Sequence, residues 1–247
     1  MLSPPSSEPA IEAAKLATPR GAILFDRACI PQAQADLLDP DAWGDAAKSL
    51  DGRGGRGSAW IVSAPFGDAV LRHYRRGGLP GRFVRDRYLF RGEEATRGFR
   101  EFRLLVRLHE LDLPAPRPLA AGFVRDGLFY RADLLTARIA EAKTLAELGS
   151  EGISESTWDA LGGLLARFHR HGVFHADLNA HNVMQDAVGQ LWLIDFDRGR
   201  ILSPSPSWRR SNLMRLKRSF DKLGVAGRET GWSILLDAYG AAMKADA

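Results

Sequence analysis

The sequence predicts an α+β chain in two lobes, a small antiparallel-sheet N-lobe followed by a mainly helical C-lobe, and three observations carry that reading. Short β-patterned runs crowd the first half, at Ala59 to Val62, Ala69 to Tyr74 and Phe123 to Tyr130, separated by turn residues. Apolar residues at helical spacing dominate the second half, at Trp158, Leu161, Leu164, Leu165 and Phe168 and again at Leu213, Leu216 and Phe220. Between those two helices lies the polar loop His175-Ala176-Asp177-Leu178-Asn179-Ala180-His181-Asn182, followed after a short strand pair by Asp195-Phe196-Asp197. The expected boundaries are a flexible N-terminal tail over 1–20, an N-lobe with a glycine-rich loop over 21–135 and a C-lobe over 136–247.

The tail is rich in Pro, Ser and Ala, and Pro4-Pro5 and Pro19 break regular structure. Asp39 to Ser49 reads as a short helix opened by an acidic cap. Gly52-Arg53-Gly54-Gly55-Arg56-Gly57 then forms a glycine-rich hairpin entering the strand Ala59-Trp60-Ile61-Val62, and a second strand follows the Phe66-Gly67-Asp68 turn. Phe99, Phe102, Leu105, Val106 and Leu108 mark a helix from Thr96 to Leu111. Pro114, Pro116 and Pro118 force an extended connection, after which Phe123-Val124 and Leu128-Phe129-Tyr130 pair across Arg125-Asp126-Gly127. In the C-lobe, Ser154 or Ser156 caps a helix that Gly172 ends just after His171. The loop Ser203 to Ser207 leads into a basic helix, and Trp232 to Met243 supplies the last one.

A chain of 247 residues with 45% apolar residues can bury a sizeable core. The net charge is only +4, so local basic clusters matter more than the overall balance, and nucleic acid is not implied. Cys29 is the only cysteine, which excludes an internal disulfide and a cysteine-cluster metal site and fits a reducing compartment. Met1 to Arg20 lacks a basic segment followed by an apolar one, and no stretch approaches the roughly 18 apolar residues of a spanning helix, so membrane contact is expected to be peripheral.

The chemistry rests on spacing. Asp177 and Asn182 stand five residues apart, and Asp195 follows the run Leu191-Trp192-Leu193-Ile194. This is the kinase pattern H-x-D-x-x-x-x-N and then D-F-x, in which Asp177 is the base for an alcohol and Asn182 and Asp195 are oxygen ligands for Mg²⁺. The glycine loop, through Gly52, Gly54, Gly57 and Ser58, is a lid whose amides approach phosphates. A strand rather than a helix follows it, which excludes a dinucleotide fold, and Ser58 stands where a Walker A loop needs Lys. Arg72 occupies the place of the Lys in V-A-I-K, with Glu101 on the next helix as its partner; the bland alternative is an exposed edge-strand Arg and a surface Glu. Arg keeps the charge and grips phosphate bidentately. His169, His171, His175 and His181 lack the spacing of a zinc helix; His171 suits a helix C-terminus and His175 a brace for the catalytic loop.

Several runs go beyond the general pattern: Gly54-Gly55-Arg56-Gly57-Ser58-Ala59-Trp60, Leu71-Arg72-His73-Tyr74-Arg75-Arg76-Gly77-Gly78-Leu79, Tyr88-Leu89-Phe90, Tyr130-Arg131-Ala132-Asp133-Leu134-Leu135, Trp192-Leu193-Ile194-Asp195-Phe196-Asp197-Arg198 and Asn212-Leu213-x-Arg215-Leu216-Lys217-Arg218-Ser219. With the catalytic loop, they make the chain after the tail resemble the 3-deoxy-D-manno-octulosonic acid (Kdo) kinases, lipopolysaccharide core kinases distantly related to protein kinases. The resemblance implies a two-lobed protein-kinase-like fold. It also implies ATP- and Mg²⁺-dependent phosphorylation of the 4-hydroxyl of a Kdo residue on a lipid A precursor, in lipopolysaccharide inner-core biosynthesis, by an enzyme peripheral to the cytoplasmic face of the bacterial inner membrane. Neither nucleic acid nor an obligate protein partner is expected.

Departures from the protein-kinase pattern bear on the substrate. Asn179 stands where protein kinases carry a cation, and there is no A-P-E segment, so a protein acceptor is disfavoured. Asp197 replaces the Gly of D-F-G, as a hydrogen-bonding group or a second metal ligand. The basic run Arg72, Arg75, Arg76, Arg82, Arg85 and Arg87 is either a solvated face or a contact for an anionic acceptor and membrane, with Arg75 and Arg76 as the acceptor candidates. Arg209, Arg210, Arg215, Lys217 and Arg218 form a second patch with the same two readings, and Trp208 suits an interface or a core. A heptose kinase, a soluble small-molecule phosphotransferase of the same fold and a pseudokinase binding module are the alternatives.

Overall fold

The computed structural model describes residues 9–50, 59–75 and 86–245. The chain forms two compact units, Met1–Val106 with Arg117–Arg138 and Arg107–Pro116 with Ile139–Ala247. This differs from one boundary near residue 135, because the segment 107–116 is tied into the second unit. There the Pro114 carbonyl accepts the Leu193 N–H at 3.1 Å and the Asp112 carbonyl accepts from Arg167 at 2.6 Å.

In the first unit the described strands are β1 (Ala13–Thr18), β2 (Gly21–Asp26), β3 (Ala47–Ser49), β4 (Ala59–Ala64), β5 (Gly67–His73), β6 (Tyr88–Leu89), β7 (Pro118–Asp126) and β8 (Phe129–Ala137). They make one antiparallel sheet in the order β1-β2-β7-β8-β5-β4-β3, with β6 on β8. The interior strand β7 is buried continuously from Pro118 to Phe123, as expected of a strand covered on both faces. One face packs Ile23, Phe25, Val62, Leu71 and Leu135 with Ile30 and Leu37. The other meets helix α1 (Arg97–Glu110), where Phe99 stands edge-on to Phe123 at 5.4 Å between ring centroids. Phe102 and Leu105, the residues whose spacing marked this helix, are fully buried.

Two expectations need correction here. Residues 13–18 are an edge strand and not a flexible tail: Pro and Ser concentrate before residue 10, whereas Ala13 to Thr18 pairs in full register with β2, and Leu16 packs against the core. Just before it, the Glu12 N–H donates to the buried Asp26 carboxylate at 2.9 Å, which Arg117 also holds at 2.7 Å. Over Asp39 to Ser49, the Asp39 carboxylate does accept the Asp41 N–H at 3.1 Å, but it opens only a short 3-10 turn, Pro40–Ala46. Gly44 at φ 51° breaks that turn, and Ala47–Ser49 joins the sheet as β3.

The second unit contains β9 (Lys143–Thr144), α2 (Leu145–Leu148), α3 (Glu155–Arg170), β10 (Val173–Phe174), β11 (Val183–Gln185), β12 (Leu191–Leu193), β13 (Arg200–Ile201), α4 (Pro206–Leu223) and α5 (Arg228–Lys244). The Ser154 hydroxyl accepts the Thr157 N–H at 3.2 Å to cap α3, and Gly172 at φ 73° ends the helix beyond His171. Helices α3 and α5 approach through two glycines: a Cβ on Gly162 would strike the Leu235 carbonyl, and one on Gly231 would strike the Trp158 indole. β12, β11 and β9 form a three-stranded sheet, and β10 pairs with β13. No described helix is long and apolar enough to cross a membrane. The chain is therefore α+β in class, a mainly antiparallel sheet unit and a mainly helical one.

His169, near the end of α3, is 1% exposed and hydrogen-bonds the Tyr239 hydroxyl at 2.9 Å, with Trp208 edge-on at 5.1 Å. Burial pushes its imidazole down to about 4, below the ordinary 6.5. A histidine held neutral stabilises the fold fully above its unfolded pKa and loses that contribution as pH falls from about 6.5 toward 4. Denaturant unfolding should show a loss of about 2 kcal/mol between pH 7 and pH 5 from this group. His169→Gln should flatten that slope; a variant with the wild-type slope would show that another group is responsible.

Candidate active site

The loop from His175 to Asn182 runs from β10 into the short 3-10 turn Ala180–Asn182 and then β11. His175 is buried and makes two side-chain contacts: Nδ1 accepts the Asp177 N–H at 3.2 Å, and Nε2 donates to the Ile194 carbonyl at 2.9 Å. That pattern requires the neutral Nε2–H tautomer, and burial pushes the imidazole below its ordinary value in agreement. The brace expected of His175 thus joins the catalytic loop to the residue preceding Asp195.

Asn182 completes the link. Its Nδ2 donates to the Asp177 carbonyl at 2.9 Å, and its own carbonyl accepts the Ile194 N–H at 3.0 Å, extending the β11–β12 ladder by one bond. Asp177, Asn182 and Asp195 are therefore brought to one end of that hairpin. Tying the amide nitrogen leaves Oδ1 as the ligand atom Asn182 can offer, and Asp195 adds carboxylate oxygens, so the donor set is hard and suits Mg²⁺. Asp195 itself sits at φ 59°, and its Oδ1 accepts the Asp197 N–H at 3.4 Å. Positive φ thus falls on Asp195 and Arg198 and not on Asp197, which occupies the Gly place of D-F-G. Between them Phe196 is buried, stacked on Phe168 at 5.9 Å and against His175 at 4.9 Å.

The Asp177 carboxylate is exposed, with its side chain 56% accessible. Asn179 Nδ2 lies 3.2 Å from its Oδ2 and 3.0 Å from its carbonyl. Of the four histidines, His169 bonds the Tyr239 hydroxyl and His175 engages both ring nitrogens with Asp177 and Ile194.

Sequence reasoning missed the support beneath this loop. Asn212 of α4, 1% exposed, grips the His175 main chain at both ends: its Oδ1 accepts the N–H at 3.1 Å and its Nδ2 donates to the carbonyl at 2.8 Å. Two turns on, the Ser219 hydroxyl accepts the Ala180 N–H at 3.1 Å. Between them Arg215 Nη1 reaches Asp177 Oδ1 at 3.4 Å. The signal available was the spacing 212, 215, 219, a polar stripe at i, i+3, i+7 beside the apolar one.

In the first unit Arg72 of β5 and Glu101 of α1 form an ion pair at 2.6 Å, and the Tyr74 hydroxyl donates to the second Glu101 oxygen at 2.6 Å. Neither bland alternative holds, since the Glu101 side chain is 2% exposed and Arg72 only 24%. The Arg72 guanidinium also lies over the Tyr74 ring, 4.9 Å from its centroid. Arg75 is exposed just past the end of β5. Gly52, Gly54, Gly57, Ser58, Arg76, Arg82 and Arg85 lie outside the described residues. The basic run is not a uniform solvated face, because Arg72 is spent on Glu101 and Arg87 pairs with Asp126 at 2.7 Å. In the second patch Arg209 donates to the His169 carbonyl at 3.2 Å and Lys217 pairs with Asp221 at 2.9 Å, while Trp208 packs edge-on to His169 and Phe174.

Residues 40–239 match the family model described as Lipopolysaccharide kinase (Kdo/WaaP) family. A protein of Stenotrophomonas maltophilia named 3-deoxy-D-manno-octulosonic acid kinase is 54% identical over 203 residues, 82% of this chain and 81% of that one. One of the same name from Xanthomonas axonopodis pv. citri is 54% identical over 210 residues, 85% of this chain and 84% of its own. A Xanthomonas campestris pv. campestris protein, again of that name, is 53% identical over 203 residues, 82% of this chain and 81% of its own.

Two substitutions test this geometry. Asn212→Ala leaves a buried N–H and a buried carbonyl of His175 without partners, and should cost about 2–5 kcal/mol in denaturant unfolding, with loss of turnover at temperatures where the variant remains folded. Arg72→Ala strands the buried Glu101 carboxylate and should cost about 3 kcal/mol or more. Arg72→Ala combined with Glu101→Gln should recover much of that loss, and failure to recover would show that the charge on Glu101 is not what makes the single variant unstable.

Proposed function

This chain belongs to the lipopolysaccharide kinase (Kdo/WaaP) family, and from that premise we propose that it transfers the terminal phosphoryl group of ATP to the 4-hydroxyl of a Kdo residue on a lipid A precursor, a step of lipopolysaccharide inner-core assembly. The observation that carries the reading is the meeting of Asp177, Asn182 and the Asp195 turn at one end of the β11–β12 hairpin, through the hydrogen bonds of His175 and Asn182. The names of the relatives favour Kdo over heptose as the acceptor sugar.

Asp177 orients the acceptor hydroxyl and takes its proton as that oxygen bonds to phosphorus and the bond to the ADP oxygen breaks. Its exposed carboxylate is reachable by a bulky alcohol, while its backbone is fixed by His175 and Asn182. Asn182 and Asp195 would hold Mg²⁺, which when bound offsets the negative charge of the phosphates as charge shifts during transfer. Arg72, oriented by Glu101 and Tyr74, offers a rigid fork to phosphate oxygens of the donor. Gly52, Gly54, Gly57 and Ser58 belong to the same reading as a lid over the donor, and Arg75 and Arg76 as contacts for the anionic acceptor. A lipid-anchored acceptor calls for work at a membrane surface, so the enzyme is read as peripheral to the cytoplasmic face of the inner membrane.

The purified protein, offered ATP and Mg²⁺ with a Kdo-lipid A precursor, a heptosylated core and a panel of soluble alcohols, should phosphorylate the Kdo acceptor, as read by mass spectrometry. Asp177→Asn should lower that turnover by about 10²–10⁴-fold with an unchanged unfolding midpoint. Phosphate found only on heptose or on a soluble alcohol would overturn the acceptor, and wild-type turnover by the variant would remove Asp177 from its role.

A further inference from the structure

The catalytic loop carries no cation of its own beside Asp177. Two residues on, where a cation is expected, stands Asn179, and its amide is turned back onto Asp177. The cation that does reach Asp177 comes from α4. Asn212 and Ser219 fasten that helix along the loop, at His175 and Ala180, and Arg215 lies between the two fastenings, directly over Asp177. Its register is thus set by the bonds of Asn212 and Ser219 and does not depend on the ion pair itself.

That ion pair is loose and wet. The Nη1–Oδ1 separation is 3.4 Å, and the two side chains are 47% and 56% exposed. Such a contact contributes little stability. It engages one nitrogen of a planar fork bearing five N–H donors, and leaves the rest of a half-exposed guanidinium facing the solvent from which an acceptor arrives. A hydroxyl seated on Asp177 Oδ2 would bring the remainder of its sugar ring alongside Arg215. A sugar acid carries its carboxylate within the span of that ring, and a guanidinium binds a carboxylate bidentately.

We propose that Arg215 is the specificity-determining residue that reads the carboxylate of the acceptor sugar, so that the pair Asp177–Arg215 selects a sugar acid by holding its hydroxyl and its carboxylate at once. This rests on the acceptor class proposed above, a Kdo-type sugar acid. The lipid-linked Kdo acceptor thereby gains a charge-assisted contact that a neutral sugar lacks. Arg215 has no part in proton transfer, and the donor phosphates are left to other groups.

The test compares two acceptors, the Kdo-lipid A precursor and its Kdo methyl ester, with wild type, Arg215→Gln and Arg215→Lys. Wild type should prefer the free acid by about 10- to 100-fold in kcat/KM. Arg215→Gln should abolish that preference, bringing kcat/KM for the acid down to that for the ester chiefly through KM, with KM for ATP unchanged, and Arg215→Lys should keep part of it. An acid-over-ester preference that survives in Arg215→Gln, or a raised KM for ATP, would overturn the proposal. So would a wild type that phosphorylates acid and ester alike. A wild type that phosphorylates neither refutes the acceptor class itself, and the reading of Arg215 goes with it. Matching unfolding midpoints for the three proteins keep the comparison free of folding effects.

Discussion

The imidazole of His175 is the joint on which the site turns. Asp177 and Asp195 are 18 positions apart in the chain, and the strand pair between them fixes only one side of their relation. The ring supplies the other side, accepting from the Asp177 N–H and donating to the Ile194 carbonyl. Only the neutral ring can do both, and its burial enforces neutrality. In so dry a place both hydrogen bonds are strong and an unmet partner is costly, so the two turns are held in one arrangement. Asn212 then holds the His175 backbone, and Phe196, pressed between Phe168 and His175, fills the space that would let the ring tilt.

The candidate site of the second unit was legible in the sequence because its residues follow one another on short loops, where spacing alone constrains geometry. Asp177, Asn182 and Asp195 belong to that class, whereas the ion pair of Arg72 and Glu101 joins a strand to a helix across 29 positions. Asn212 and Ser219 were not legible in the same way. They lie on a helix whose apolar stripe, Leu213, Leu216 and Phe220, accounts for its burial, and a polar stripe next to it reads as the solvent face until the loop it clasps is seen. Edge strand β1 was hidden for a different reason. Its Ala-rich sequence has weak strand propensity, and it is held by pairing with β2 and by Leu16, long-range contacts that no local pattern reveals.

Counting basic residues proved a poor guide to where positive charge is available. Arg72, Arg87, Arg209 and Lys217 look alike in the sequence, yet each is taken by a different partner: a buried carboxylate, an exposed one, a main-chain carbonyl and a carboxylate one helical turn away. Linear density of charge therefore overstates a patch. What a cation can do for a ligand depends on how firmly its present partner holds it.

Arg72 and Arg215 show that dependence from opposite ends. Glu101, which holds Arg72, is sealed from water and has its second oxygen occupied by Tyr74, so the pair is short, desolvated and fixed in direction whether or not a ligand is present. Such a guanidinium is preorganised, its direction set before any ligand binds. Asp177, which Arg215 touches, is instead open to water, and in the proposed reaction a partner that clamped it in a dry setting would compete with the acceptor hydroxyl for the carboxylate. The 3.4 Å contact, open to water, keeps the cation beside the carboxylate without blocking it. Burial of the anion, more than the presence of the cation, separates a group built to stay from one built to exchange.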